Sequence, residues 1–264
     1  LEKWGPFGRG WSFSRFSAHM VAPAYSPLIG FPMAWSESTS GAIQGETILA
    51  PILLESDFEK YRGKLKNKIV LIDRKKELLP QDKPQLQRWT DAELVERSLA
   101  PEALPAAARN QPSTQPMPGI PAGQPVDMKV VRAFLDKRNE FFKKEGVRAV
   151  LTTGVRNDGG TIFGTAAGSH DPGRSTPPPT ATIAAEQYNR IIRLMDREIP
   201  VRVELEIASS FHDGNQFTHN VIGEIPGGKT PDEVVMIGAH LDSWHAATGA
   251  TDNAAGSAVM LEVM

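Results

Sequence analysis

The sequence predicts an α/β protein, and three observations predict it. Residues 68–73 and 234–238 are short, almost wholly apolar runs, as expected of strands covered on both faces of a parallel sheet. Val131, Phe134, Leu135, Phe141 and Phe142 fall near one helical face, and the apolar run 147–151 follows at once, a helix-then-strand unit. After Pro200 the period changes to two: Val201, Val203, Leu205 and Ile207 alternate with Arg202, Glu204 and Glu206.

Taken in order, the chain opens with aromatics and glycines (Trp4, Phe7, Trp11, Phe13, Phe16; Gly5, Gly8, Gly10) that read as a loop packed on a core. The glycine spacing does not fit a dinucleotide-binding turn, and no helical pattern follows. Residues 48–54 and 68–73 read as strands, with a helical turn at 57–61 between them and a helix near 91–99. Residues 100–126 turn to proline, alanine and glutamine without periodicity, which predicts a mobile excursion. Asp127 is placed to start the next helix and Gly146 to end it. Pro177, Pro178 and Pro179 lead to a helix with Tyr188, Ile191, Ile192 and Met195 on one side. Beyond a boundary near 196–202 come strands at 201–207, 220–225 and 234–238, the second closed by the turn Pro226-Gly227-Gly228.

Composition narrows the function classes. The 264 residues are 40% hydrophobic and 23% charged with net charge -2, which argues against a nucleic-acid partner because no clustered basic surface is present. No apolar stretch is long enough to span a membrane. The absence of cysteine excludes disulfides and thiolate metal sites and leaves the compartment open. Leu1-Glu2-Lys3-Trp4 at one end and the apolar run 259–264 at the other read as cuts through structure, so the chain is expected to be an internal piece of a longer one.

Chemistry concentrates after the last apolar run, in Gly238-Ala239-His240-Leu241-Asp242-Ser243-Trp244. In open α/β sheets ligands bind beyond the carboxyl ends of the strands. Residues two apart in an extended segment point the same way, so Asp242 can take the free N–H of the His240 ring, as carboxylates do for metal-bound histidines. Ten residues later Asp252 stands in Gly249-Ala250-Thr251-Asp252-Asn253-Ala254-Ala255-Gly256, before a helix start, where a carboxylate can bridge two cations. On spacing alone, a surface loop ending in a helix cap accounts for the same residues. His19, His170, His212, His219 and His245 show no ligand spacing, and there is no Gly-x-Ser-x-Gly, phosphate-binding glycine loop or His-Glu-x-x-His.

Residues 234–256 closely resemble the zinc-site region of metallopeptidase family twenty-eight, the co-catalytic zinc exopeptidases, and most of all the branch of the plasma glutamate carboxypeptidase and its bacterial relatives. The resemblance implies two zinc ions per complete site, with His240 a terminal ligand of one, Asp252 bridging both and Asp242 supporting His240. Residues 63–71 and 130–151 resemble segments of the protease-associated domain that these enzymes carry as an insertion, and residues 4–11 resemble the lead-in to it. The implied organisation is a lead-in from the catalytic domain at 1–40, a protease-associated domain at 41–198 and the first part of an α/β/α zinc-peptidase sandwich at 199–264. The implied function is hydrolysis of terminal peptide bonds, as aminopeptidase or carboxypeptidase, on peptides or dipeptides, by an exported protein. The Glu-Glu pair that supplies the family's general base and a further ligand has no counterpart here, so residues 1–264 alone are expected to be inactive. A non-catalytic receptor or binding protein of the same architecture is the alternative.

Overall fold

The computed structural model describes residues 1–78, 80, 82, 84, 87–99, 117–154, 159–214, 217–230 and 233–264. Its class is α/β. The strands are β1 (Glu2–Trp4), β2 (Gly10–Ala22), β3 (Ser26–Pro27), β4 (Gly30–Pro32), β5 (Ile43–Leu49), β6 (Ile69–Leu71), β7 (Ala149–Thr152), β8 (Thr180–Ile183), β9 (Arg202–His212) and β10 (Thr218–Asn220). The helices are α1 (Asp57–Tyr61), α2 (Asp91–Ser98), α3 (Met128–Glu145), α4 (Ala185–Met195) and α5 (Gly256–Val263), the last entered through a π-helical turn at Ala250–Ala255. Eight strands form one mixed sheet in the order β3-β2-β9-β5-β6-β7-β8-β4, and β1 pairs with β10 apart from it. From β5 to β8 the neighbours are parallel, and the flanking pairs are antiparallel. β3 and β4 occupy opposite edges yet only residues 28 and 29 separate them, a link of about 10 Å at most. The sheet therefore curls until its edges approach.

The central strands are apolar throughout because both faces are covered. Ile69, Leu71, Ala149 and Leu151 pack with Tyr188, Ile191 and Ile192 of α4, whereas Val70 and Val150 point the other way to Phe134, Phe141 and Phe142 of α3. The ends of α3 follow the residues expected: the Asp127 carboxylate accepts from Lys129 N at 2.8 Å, and Gly146 closes the helix at φ 73°. α2 carries a capping box of Thr90 and Glu93 and buries no residue.

Three expectations are corrected. Residues 10–22 form a strand rather than a loop. A register shift between Phe13 and Arg15 moves the inward set from Trp11 and Phe13 to Phe16, Ala18 and Met20, which hides the alternation. The first strand expected near 48–54 sits earlier, at β5. Residues 220–225 and 234–238 form no extended strand. β10 stops at Asn220, and Val234, Val235 and Met236 are 80%, 93% and 87% exposed. A buried parallel strand needs hydrogen-bonding neighbours, and among the described residues none pairs with 234–238. The excursion expected at 100–126 lies, up to residue 116, outside the described residues. Beyond it Ile120 is buried and Gly119 N donates to Leu53 O at 2.8 Å, so that end is anchored.

β9 is hydrogen-bonded to β2 on one edge and β5 on the other, so residues 10–22, 43–49 and 202–212 share one sheet across the boundary expected near 198. At the β4–β8 edge, a Cβ on Gly30 would lie 2.2 Å from Thr182 O. Gly30→Ala is therefore expected to lower unfolding free energy by about 1–3 kcal/mol. Gly228→Ala, which meets nothing within 4 Å, should leave the denaturant midpoint almost unchanged.

Candidate metal centre

The site is carried by an irregular segment between β10 and α5. A turn closed by Ala247 N to Trp244 O (3.0 Å) reverses the chain, and Gly249 follows at φ 71°. A Cβ at Gly249 would stand 2.8 Å from that of Ser243, so glycine is required there both for its backbone and for the close approach. Asp252 (φ -118°, ψ 90°) and Asn253 (φ -137°, ψ 31°) depart from helical geometry inside this turn, and α5 begins only at Gly256. The Ser257 hydroxyl donates to His240 O at 3.1 Å, which ties the start of α5 to the histidine.

The structure brings His240, Asp242 and Asp252 together. His240 Nδ1 lies 2.9 Å from Asp242 O and 3.1 Å from Asp242 Oδ1, and His240 Nε2 lies 2.9 Å from Asp252 Oδ1. Asp242 offers only acceptors to Nδ1, so Nδ1 carries its hydrogen. An uncharged ring would then turn the Nε2 lone pair toward a carboxylate oxygen. A proton on Nε2 or a metal ion between them turns that contact favourable. Two ligands on one tetrahedral zinc, each about 2.0–2.1 Å from it, are about 3.3 Å apart, so a small opening of this pair admits the ion. A neutral imidazole and a carboxylate also suit zinc as donors. Among the described residues no group of three or more histidine and acidic side chains is placed to hold a metal. The three side chains are 52%, 88% and 79% exposed, so the site is open.

The same geometry raises the His240 pKa above the ordinary histidine value, first through the hydrogen bond to the Asp242 carbonyl and then through the charges of Asp242 and Asp252. Because the folded value is raised, the pair's contribution to stability is present below the unfolded pKa and lost as pH rises through the folded one. Metal binding has the opposite sign, since it needs Nε2 free of its proton. An NMR titration should place the His240 midpoint above that of an unstructured histidine, and Asp252→Asn should lower it.

His245, for which the spacing shows no role, is bound into the sheet through Pro32 O, and Ser257 supports His240; nothing in the local sequence signals either contact. His19, His170 and His212 are engaged with Tyr25, Phe7 and Ser12.

Comparison with known proteins bears on the same segment. Residues 220–264 match the sequence model of Peptidase family M28. Carboxypeptidase Q of Pongo abelii is 34% identical over 87 residues, 33% of this chain and 18% of that protein. Carboxypeptidase Q of Bos taurus is 36% identical over 87 residues, with the same coverage. The solved structure of a Peptidase M28 precursor from Shewanella amazonensis SB2B superposes with TM-score 0.56 at 22% identity, covering 98% of this chain and 48% of that one. The resemblance to the family twenty-eight exopeptidases is thus borne out, and the fold is shared with an M28 peptidase. The match spans under a fifth of the curated relatives' length.

Proposed function

We propose that the protein is part of a zinc-dependent exopeptidase that hydrolyses terminal peptide bonds, as aminopeptidase or carboxypeptidase. The observation that carries this reading is His240 Nε2 facing Asp252 Oδ1 at 2.9 Å while Nδ1 is committed to Asp242. In the proposal His240 and Asp252 would hold zinc, the Asp252 carboxylate being shared by the two ions of a complete site, and Asp242 would fix the tautomer and orientation of His240. Bound zinc supplies Lewis acidity toward a peptide carbonyl and acidifies water. The M28 match over residues 220–264 and the names of the Carboxypeptidase Q relatives support peptide or dipeptide substrates.

Residues 1–40, 41–198 and 199–264 are proposed as lead-in, protease-associated domain and the first part of the catalytic domain. In that scheme the parallel strands β5 to β8 with α3 and α4 belong to the insertion, which covers the active site or selects substrates. Export is proposed on the same resemblance. Among the described residues no helix is long and apolar enough to cross a membrane.

After Asp252 the only acidic residue of this sequence is Glu262. With two candidate ligands where a zinc site takes three or more protein donors, residues 1–264 are proposed to bind zinc weakly. A longer chain loaded with Zn²⁺ should cleave amino-acid anilides or dipeptides and lose that activity on His240→Ala. Absence of cleavage, or full activity in the variant, would sink the proposal.

A further inference from the structure

The segment that carries His240 and Asp252 meets the sheet at one side chain that the mechanism does not use. The flanking apolar residues are open: Val235 is 93% exposed, Leu241 75% and Leu261 80%. His245 and Ala246, by contrast, are half-buried. The His245 ring stands edge-on to Trp11 (5.2 Å between centroids, 78°) and Phe13 (5.8 Å, 86°), both on β2. Its Nε2 lies 2.7 Å from Pro32 O at the end of β4. That carbonyl can only accept, so Nε2 carries the hydrogen and donates. Ala246 is close beside it, where a Cβ added at Gly164 would come within 2.6 Å of the alanine's own. His245 therefore touches both strands that lie at or near the curled sheet's approaching edges, from a position five residues past His240 and seven before Asp252.

We propose that His245 is a positioning residue: its hydrogen bond to Pro32 O and its aromatic seat on β2 pin the 240–252 segment to the sheet and hold His240 and Asp252 at ligand distance. The inference rests on the metal reading of those two residues. A ring held on two sides by Trp11 and Phe13 and on a third by a directed hydrogen bond has few alternative rotamers. The short tether to His240 then limits how far the metal pair can spread. A preorganised pair binds an ion more tightly than one that must first be ordered.

The chain has no cysteine, so spin labels can be placed at Arg190→Cys on α4 and Thr248→Cys on the segment without background. Both positions are exposed, so the labels disturb no packing. In the parent the label-to-label distance should be single and narrow. His245→Phe keeps a ring and loses the donor, so the distribution should broaden. His245→Gln restores an N–H at the Nε2 position and should narrow it again. Calorimetric zinc titration of the unlabelled chains should show affinity reduced about tenfold in His245→Phe and largely recovered in His245→Gln, the range seen for residues that orient a ligand. A narrow distribution in His245→Phe overturns the clamp. A broadened distribution with unchanged zinc affinity overturns its role toward the metal pair. If His240→Ala binds zinc as the parent does, the metal reading fails instead, and the distance distributions still decide whether His245 pins the segment.

Discussion

Leu205→Ala is expected to lower the unfolding free energy by about 3 kcal/mol and the thermal midpoint by roughly 6–12 °C. Leu205 is fully buried in the middle of β9, paired with Ala18 on β2 and Ile43 on β5, within the cluster that α4 covers. Removing its branched end leaves a cavity that neighbours on two strands must fill, and strands hydrogen-bonded on both edges relax little. The consequence reaches the site, because β9 holds β2 in place and β2 carries Trp11 and Phe13 beneath His245. Denaturant unfolding of the two chains checks the effect, and a loss under about 1 kcal/mol would mean that β9 is not the sheet's interior.

His240→Ala should weaken zinc binding by more than about 100-fold, whereas Asp242→Asn should weaken it by about 10–100-fold, the range for partners that orient a ligand. The order follows from atoms. In the proposed site His240 Nε2 would give its lone pair to the ion directly, whereas Asp242 would act through Nδ1, and its backbone carbonyl stays as an acceptor when the side chain is changed. Titration must be run above the raised His240 pKa, because below it the proton occupies the position between Nε2 and Asp252. His212→Ala serves as control, since that ring is bonded to Ser12 at the far end of β9. Equal losses for His240→Ala and His212→Ala would remove the assigned site.

Much of the sheet was legible because single residues carried the signal. Asp127 and Gly146 bound α3 as their side-chain chemistry dictates, α1 and α4 fall where their patterns place them, and the alternation after Pro200 is β9. β2 was not legible because its bulge resets an alternation that pattern reading takes as continuous. Residues 234–238 show the converse: strand composition does not make a strand where, among the described residues, no neighbour supplies hydrogen bonds. In the site, the local pair of His240 and Asp242 could be read from a two-residue spacing. The contact of His245 with Pro32 spans 213 residues and is created by the curl of the sheet, which leaves no mark in local sequence.

The central claim, that His240 and Asp252 hold one ion, is tested most directly by anomalous diffraction from zinc-soaked crystals of the chain. A zinc peak is expected about 2.0–2.1 Å from both His240 Nε2 and an Asp252 carboxylate oxygen, with Nδ1 still on Asp242. Zinc bound at another histidine, with the His240–Asp252 contact intact and empty, would contradict it.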